Sequence, residues 1–320
     1  AVDANGNLII QTQAVANTPS NTQVDVPSAT NNATPDLPNT EVKSQGGFVT
    51  VSTDLLTVEI SHKGGTMQNA WLNDYPLELG SEEKFQLLSD KSGELFQAQS
   101  GLLPKEQMPT HHSMFSADNS HYQMSGDTLV VPLIWQGKNG TKVVKNYHFS
   151  KDSYTVTVDY QITNNSNNAL NITSYTQLAR NALDQSSMMM PTYTGGARFD
   201  DGEELYEKID FEDFDSQLDS TSKGGWMAMI QHYFFAAWIP DANNTHTYSS
   251  KINNGKYLLT LVNPTQALAP GASITLPGNA LYVGPKEQAR IDDIAPGLDK
   301  TVDYGILFII AKPLSELLNW

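Results

Sequence analysis

Three histidines fall close together in the stretch MPTHHSMFSADNSHYQM: His111, His112 and His121. Imidazole is the side chain best suited to trading a proton near neutral pH, and it is the commonest nitrogen ligand for a borderline metal. A catalytic zinc helix would space two histidines as H-x-x-x-H, one turn apart on one face, and this stretch does not. Its Pro, Ser, Asp and Asn residues read as a polar loop. The expectation is therefore surface histidines with no metal between them.

Carboxylates are concentrated in DDGEELYEKIDFEDFDSQLD, residues 200–219, which holds ten of them. A calcium loop needs oxygen ligands at alternate positions, a central Gly and a bidentate Glu at position twelve, and no register here supplies that set. The interleaved Leu205, Tyr206, Ile209, Phe211 and Phe214 point instead to an acidic loop that folds against the body or docks on a partner. Further on, the pair Gly224 and Gly225 opens an aromatic run beginning at Trp226, as Gly64 and Gly65 mark another turn. Each pair reads as a tight turn or bulge, since glycine tolerates positive φ. The run after Gly225 reads as core strand, or as a docking surface wherever it is exposed. No G-x-S-x-G elbow, P-loop or G-x-G-x-x-G is present, so hydrolase, nucleotide and dinucleotide chemistry lack local support, and no cofactor is expected.

The elements that must position these residues are strands. In YTVTVDYQI, Tyr154, Val156, Val158, Tyr160 and Ile162 share one face, while Thr155, Thr157, Asp159 and Gln161 take the other. That period of two is a half-buried antiparallel strand. Rougher runs of the same kind occur at 48–53, 55–61, 128–135, 142–149, 170–178, 257–262 and 272–284, separated by turn signals such as GKNG, NNSNN and NNGK. The fold class is mainly β, a large two-sheet sandwich. Helical patterning appears only late, in KEQARIDDI (286–294) and in PLSELLNW, where Pro313 suits a first helical position and Leu314, Leu317 and Leu318 share a face.

Residues 1–46 differ: they lack aromatics, carry Lys43 as their only base, and read as a flexible linker that cannot bury enough apolar surface to order itself. The beginning AVDANGNLII has neither the basic end nor the apolar run of a signal peptide, so a removed leader or a longer parent chain is expected. The bulk numbers set outer limits. A net charge of −16 excludes nucleic acid as a natural partner, because phosphate binding needs surplus Lys and Arg. The absence of cysteine removes disulfides, thiolate metal sites and cysteine nucleophiles together. No stretch approaches the eighteen or so apolar residues of a spanning helix.

Four stretches carry a resemblance: FVTVSTDLLTVEISHKGGTMQNAWLNDYPL, SKGGWMAMIQHYFFAAWIP, ALYVGPKEQ and IAPGLDKTVDYGILFIIAKPLSELLNW. In that order, and over residues 48–320, they resemble the large periplasmic domain of YidC-type membrane protein insertases of Gram-negative bacteria. The resemblance implies a β-supersandwich like that of galactose mutarotase over residues 47–284. It implies a linker over 1–46 after a transmembrane helix, and a helical segment over 285–320 leading to the next one. It also implies an accessory part at the periplasmic face of the inner membrane, without catalysis or cofactor. Its partners would be its own transmembrane insertase domain, nascent inner-membrane proteins and accessory subunits of the Sec translocon. The helix that couples to insertion would be carried by Pro313, Leu314, Leu317, Leu318 and Trp320, with the indole at the membrane interface. A docking edge falls on residues 195–240, where Tyr206, Phe211, Phe214 and Trp226 are the candidate contacts. The shared supersandwich also raises an alternative, a periplasmic carbohydrate- or peptide-binding module or an aldose-epimerase-like enzyme. A glutamate base such as Glu59 would then meet a histidine acid from the 111–121 loop over a sugar.

Overall fold

The computed structural model describes residues 25–27, 47–181, 193–215 and 217–302. Strands follow one another as β1 (Phe48–Ser52), β2 (Leu56–Ser61), β3 (Thr66–Pro76), β4 (Lys84–Leu88), β5 (Phe96–Leu103), β6 (His121–Gln123), β7 (Thr128–Gln136), β8 (Thr141–Ser150) and β9 (Thr155–Asn164). Then come β10 (Leu170–Asn181), β11 (Gly195–Asp200), β12 (Leu205–Ile209), β13 (Asp219–Lys223), β14 (Trp226–Gln231), β15 (Phe234–Ile239), β16 (Thr245–Asn253), β17 (Lys256–Val262), β18 (Gln266–Leu268) and β19 (Ser273–Pro285). One sheet runs β13-β16-β17-β10-β5-β3-β2-β1-β6, with β4 added on β3 and β18 on β10. The other runs β12-β11-β14-β15-β19-β9-β8-β7. Neighbours pair antiparallel except β1 and β6, which are parallel.

The two sheets face each other across the main core, where Val58, Met67, Val156, Leu178, Trp226, Phe235, Trp238 and Leu281 are all buried. The alternation in β9 is realised as expected, Val156, Val158, Tyr160 and Ile162 being buried. β5 breaks the pattern. All eight of its residues are buried although Gln97, Gln99 and Ser100 are polar. Its inward face carries Phe96, Ala98 and Leu102, and its outward glutamines are satisfied sideways. Gln177 Nε2 donates to Gln99 Oε1 at 2.8 Å, and Thr260 Oγ1 donates to Gln177 Oε1 at 2.9 Å, a polar ladder across β5, β10 and β17. A buried amide without such partners would cost several times what a hydrogen bond contributes.

Polar side chains also tie sheet to sheet. Trp238 Nε1 donates to the Gln177 carbonyl at 3.3 Å, and Tyr160 hydroxyl to Ser100 Oγ at 2.9 Å. The acidic stretch is only partly a loop. Leu205–Ile209 form a strand on β11 with Tyr206 opposite Phe199, and the expectation of a loop throughout is corrected there. The expected helix over 286–294 shrinks to α1 (Gln288–Ile291), followed by a 3-10 turn at Leu298–Thr301. Among the described residues no helix is long and apolar enough to cross a membrane. The linker, except residues 25–27, and the helix from Pro313 to Trp320 lie outside the described residues.

Candidate functional site

The outward face of β5 and β10 becomes a site because β5 thins at Gly101. A Cβ there would stand 2.6 Å from the Tyr175 hydroxyl and 2.9 Å from Thr110 Cα. Without it, the loop joining β5 to β6 lies directly on the sheet, held by Leu102 N–H to the Pro109 carbonyl at 2.9 Å and Phe115 N–H to the His62 carbonyl at 2.8 Å. His111 is thereby pressed against Tyr175. Its backbone N–H donates to the Tyr175 hydroxyl at 3.2 Å, and its ring Nδ1 lies 2.7 Å from the same oxygen. The His112 ring sits beside it, centroids 4.1 Å apart.

Asp25 closes the cluster from far away in sequence. Its Oδ2 is 3.0 Å from His111 Nε2 and its Oδ1 is 2.7 Å from His112 Nε2. Only 3% of His111 is exposed, so the expectation of surface histidines fails for it. Polar loop composition says nothing about what the loop lies on. Burial alone would raise the Asp25 carboxyl, but the hydrogen bonds and charges of the two imidazoles outweigh it and hold that carboxyl well below the ordinary carboxylate range. Burial, with His112 beside it, pushes the His111 imidazole down despite Asp25. Asp25 is thus an anion held by a histidine pair.

His121 stands apart, exposed and 3.0 Å from Ser120 Oγ. Glu59 accepts from Asn69 Nδ2 at 2.8 Å. In register, Thr50 faces His121 on one side and Glu59 on the other, so the two are separated by two strand spacings, about 10 Å. The structure does not bring Glu59 together with any of the three histidines. A cavity between β10, β16, the start of β18 and β19, lined by Ser174, His246, Asn263 and Asn279, measures about 20 Å³. That is room for a water molecule or two, and a sugar ring does not fit.

A second buried charge lies between the sheets. Lys145, on β8 and without solvent exposure, donates from Nζ to the carbonyls of Gly65 at 2.7 Å, Gly64 at 3.0 Å and Ser100 at 3.4 Å. Tyr147 hydroxyl also donates to Gly65. Burial drives the ammonium well below its ordinary value, while three carbonyls matched to three N–H donors oppose that loss. Gly64, Gly65, Gly224 and Gly225 all have positive φ, as the reading of two tight turns requires.

The candidate docking residues divide. Trp226 and Phe214 are fully buried: Trp226 stacks near Phe199 at 5.9 Å and donates Nε1–H to the Pro296 carbonyl at 2.9 Å, and Phe214 packs on Tyr257. Both are core residues, which corrects their assignment as contacts. Tyr206 and Phe211 remain half-buried, beside the exposed Leu205. Arg198 runs under this edge, its guanidinium 2.6 Å from Asp200 and 3.0 Å from Glu207.

A family model described as the YidC periplasmic domain matches residues 48–317. The chain belongs to the YidC periplasmic domain family. The protein named membrane protein insertase YidC in Ruthia magnifica subsp. Calyptogena magnifica is 66% identical over the whole chain, which covers 60% of that relative. The one of Pseudoalteromonas atlantica is 39% identical over 94% of the chain, covering 55% of the relative. The chain therefore spans about 60% or less of the length of these YidC relatives. Among solved structures, a putative aldose 1-epimerase from Escherichia coli K12 is 13% identical, with a TM-score of 0.43 over 74% of the chain and 99% of that structure. A galactose mutarotase related enzyme from Lactobacillus acidophilus reaches a TM-score of 0.47 at 10% identity, over 74% of the chain and 97% of its own.

Proposed function

We propose that this YidC domain is the non-catalytic periplasmic part of a membrane protein insertase. In this reading it sits on the periplasmic face of the inner membrane and works with its own transmembrane insertase domain, with nascent inner-membrane proteins and with accessory subunits of the Sec translocon. The carrying observation is the match of residues 48–317 to the YidC periplasmic domain, together with full-chain relatives named as insertases. The placement of acid–base groups supports it over an epimerase. Glu59 is engaged by Asn69, His111 by Tyr175 and Asp25, and His121 stands two strands from Glu59. The half-buried Tyr206 and Phe211 are what remains of the docking edge, and Pro313, Leu314, Leu317, Leu318 and Trp320 are assigned to the coupling helix.

The test is rescue of cells depleted of their insertase by the full-length protein, intact, lacking residues 48–300, or with Leu314, Leu317 and Leu318 changed to Ser. Growth with the large deletion and failure with the helix variant supports an accessory sandwich and a coupling helix. The reverse result assigns client or partner handling to the β-body and overturns the weight placed on the helix. Saturable epimerisation of an aldose, lost on changing His111 or His121, would overturn the non-catalytic reading.

A further inference from the structure

We propose that Asp25, His111 and His112 form a binding site for a divalent cation of the Zn²⁺ type, clamping the Asp25 segment to the sandwich. Among the described residues this is the group of Asp, Glu and His side chains whose ligand atoms converge, all within 4.8 Å of one another. The donor set is two imidazole nitrogens and one carboxylate oxygen, which suits Zn²⁺ and its borderline neighbours and leaves a coordination position for water. Tetrahedral ligands about 2.0–2.2 Å from zinc lie roughly 3.3 Å from each other. Asp25 spans the pair with both oxygens, Oδ2 3.0 Å from His111 Nε2 and Oδ1 2.7 Å from His112 Nε2, so seating one of them on a shared cation takes a turn of the carboxylate and shifts of about an ångström.

A supporting shell is already in place. Coordination through His111 Nε2 requires the proton to sit on Nδ1, and the Tyr175 hydroxyl oxygen lies 2.7 Å from that nitrogen, placed to accept it. The same hydroxyl receives the His111 backbone N–H, which fixes the ring against the sheet. His112 is turned to the same point by the bond from its backbone N–H to Thr110 Oγ1 at 3.2 Å. The ligands come from positions 86 and 87 residues apart, so the cation would cross-link distant parts of the chain as a disulfide does in proteins that have cysteine. Asp25 lies in the stretch that composition reads as a linker, and the site gives Asp25 itself a defined seat on the body.

The experiment uses the untagged 320-residue chain, stripped with chelator and titrated with Co²⁺ while its visible d–d bands are recorded, then with Zn²⁺ in competition. The expected result is one equivalent of Co²⁺ with tetrahedral or five-coordinate bands, displaced by Zn²⁺. Asp25→Asn and His112→Ala should each weaken binding at least tenfold, and Tyr175→Phe by about tenfold. Zn²⁺ should raise the urea midpoint of the parent chain clearly more than that of His112→Ala. Because Asp25 and His112 are both partly exposed, these two variants should match the metal-free parent in circular dichroism. Absence of d–d bands in the parent, or equal Co²⁺ affinity in parent and both variants, overturns the site.

Discussion

Replacing Gly64 with alanine is expected to destabilise the domain by about 3–4 kcal/mol, and the structure separates that cost into parts. Gly64 has φ +76°, where a residue with a Cβ is strained by roughly 1–2 kcal/mol. The new Cβ would lie 2.2 Å from the His111 carbonyl oxygen and 2.6 Å from its carbon and Cα. All three are backbone atoms, so no rotamer change relieves the clash, and the loop must retreat by roughly 1 Å to reach ordinary contact. That retreat loosens the two His111 bonds to Tyr175, each worth about 1 kcal/mol. Gly271 supplies the control. Its φ is +72° and nothing lies within 4 Å of its would-be Cβ, so Gly271→Ala should show the φ cost alone, about 1 kcal/mol. Urea unfolding followed by tryptophan fluorescence, with matched m-values, reads the difference. If Gly64→Ala costs no more than Gly271→Ala, the loop does not lie against Gly64 as described, and the histidine cluster built on it loses its support.

Trp226→Ala should cost about 3–5 kcal/mol in the same assay, because it empties a fully buried indole and frees the Pro296 carbonyl; a cost below about 1 kcal/mol would return Trp226 to the surface as a contact residue. The domain should also lose stability steeply in alkali. Burial holds the hydroxyls of Tyr147, Tyr160, Tyr175 and Tyr248 above their ordinary value of 10.0, so they stay protonated in the fold while the unfolded chain ionises. Their contribution is complete below pH 10.0 and is lost as pH rises toward the folded values, about 1 kcal/mol per tyrosine between pH 10 and 11, or about 4 kcal/mol together. Denaturant midpoints across that range, with phenolate absorbance recorded in parallel, check this. Ionisation of all thirteen tyrosines near pH 10 with the sheet signal intact would refute it.

Local patterns were enough for the parts of this protein that depend on neighbours in sequence. The alternation of Tyr154 to Ile162 is a strand because side chains two apart must share a face, and the paired glycines are turns because positive φ is cheap only for them. The family was legible in the same way, from stretches such as SKGGWMAMIQHYF and the match over residues 48–317. What the sequence left open depends on which faces the topology covers. β5 alternates polar and apolar like a half-solvated strand, yet a loop and a cross-strand ladder bury its polar side. Phe214 sits among carboxylates in the chain and Trp226 follows a polar turn, yet both point into the core. His111 and His112 carry no motif, since the third member of their cluster arrives across 86 residues at a place that exists only because Gly101 has no side chain. Periodicity reports the direction of a side chain relative to its own strand; only the packing of distant strands and loops decides whether that direction meets water, core or another charge.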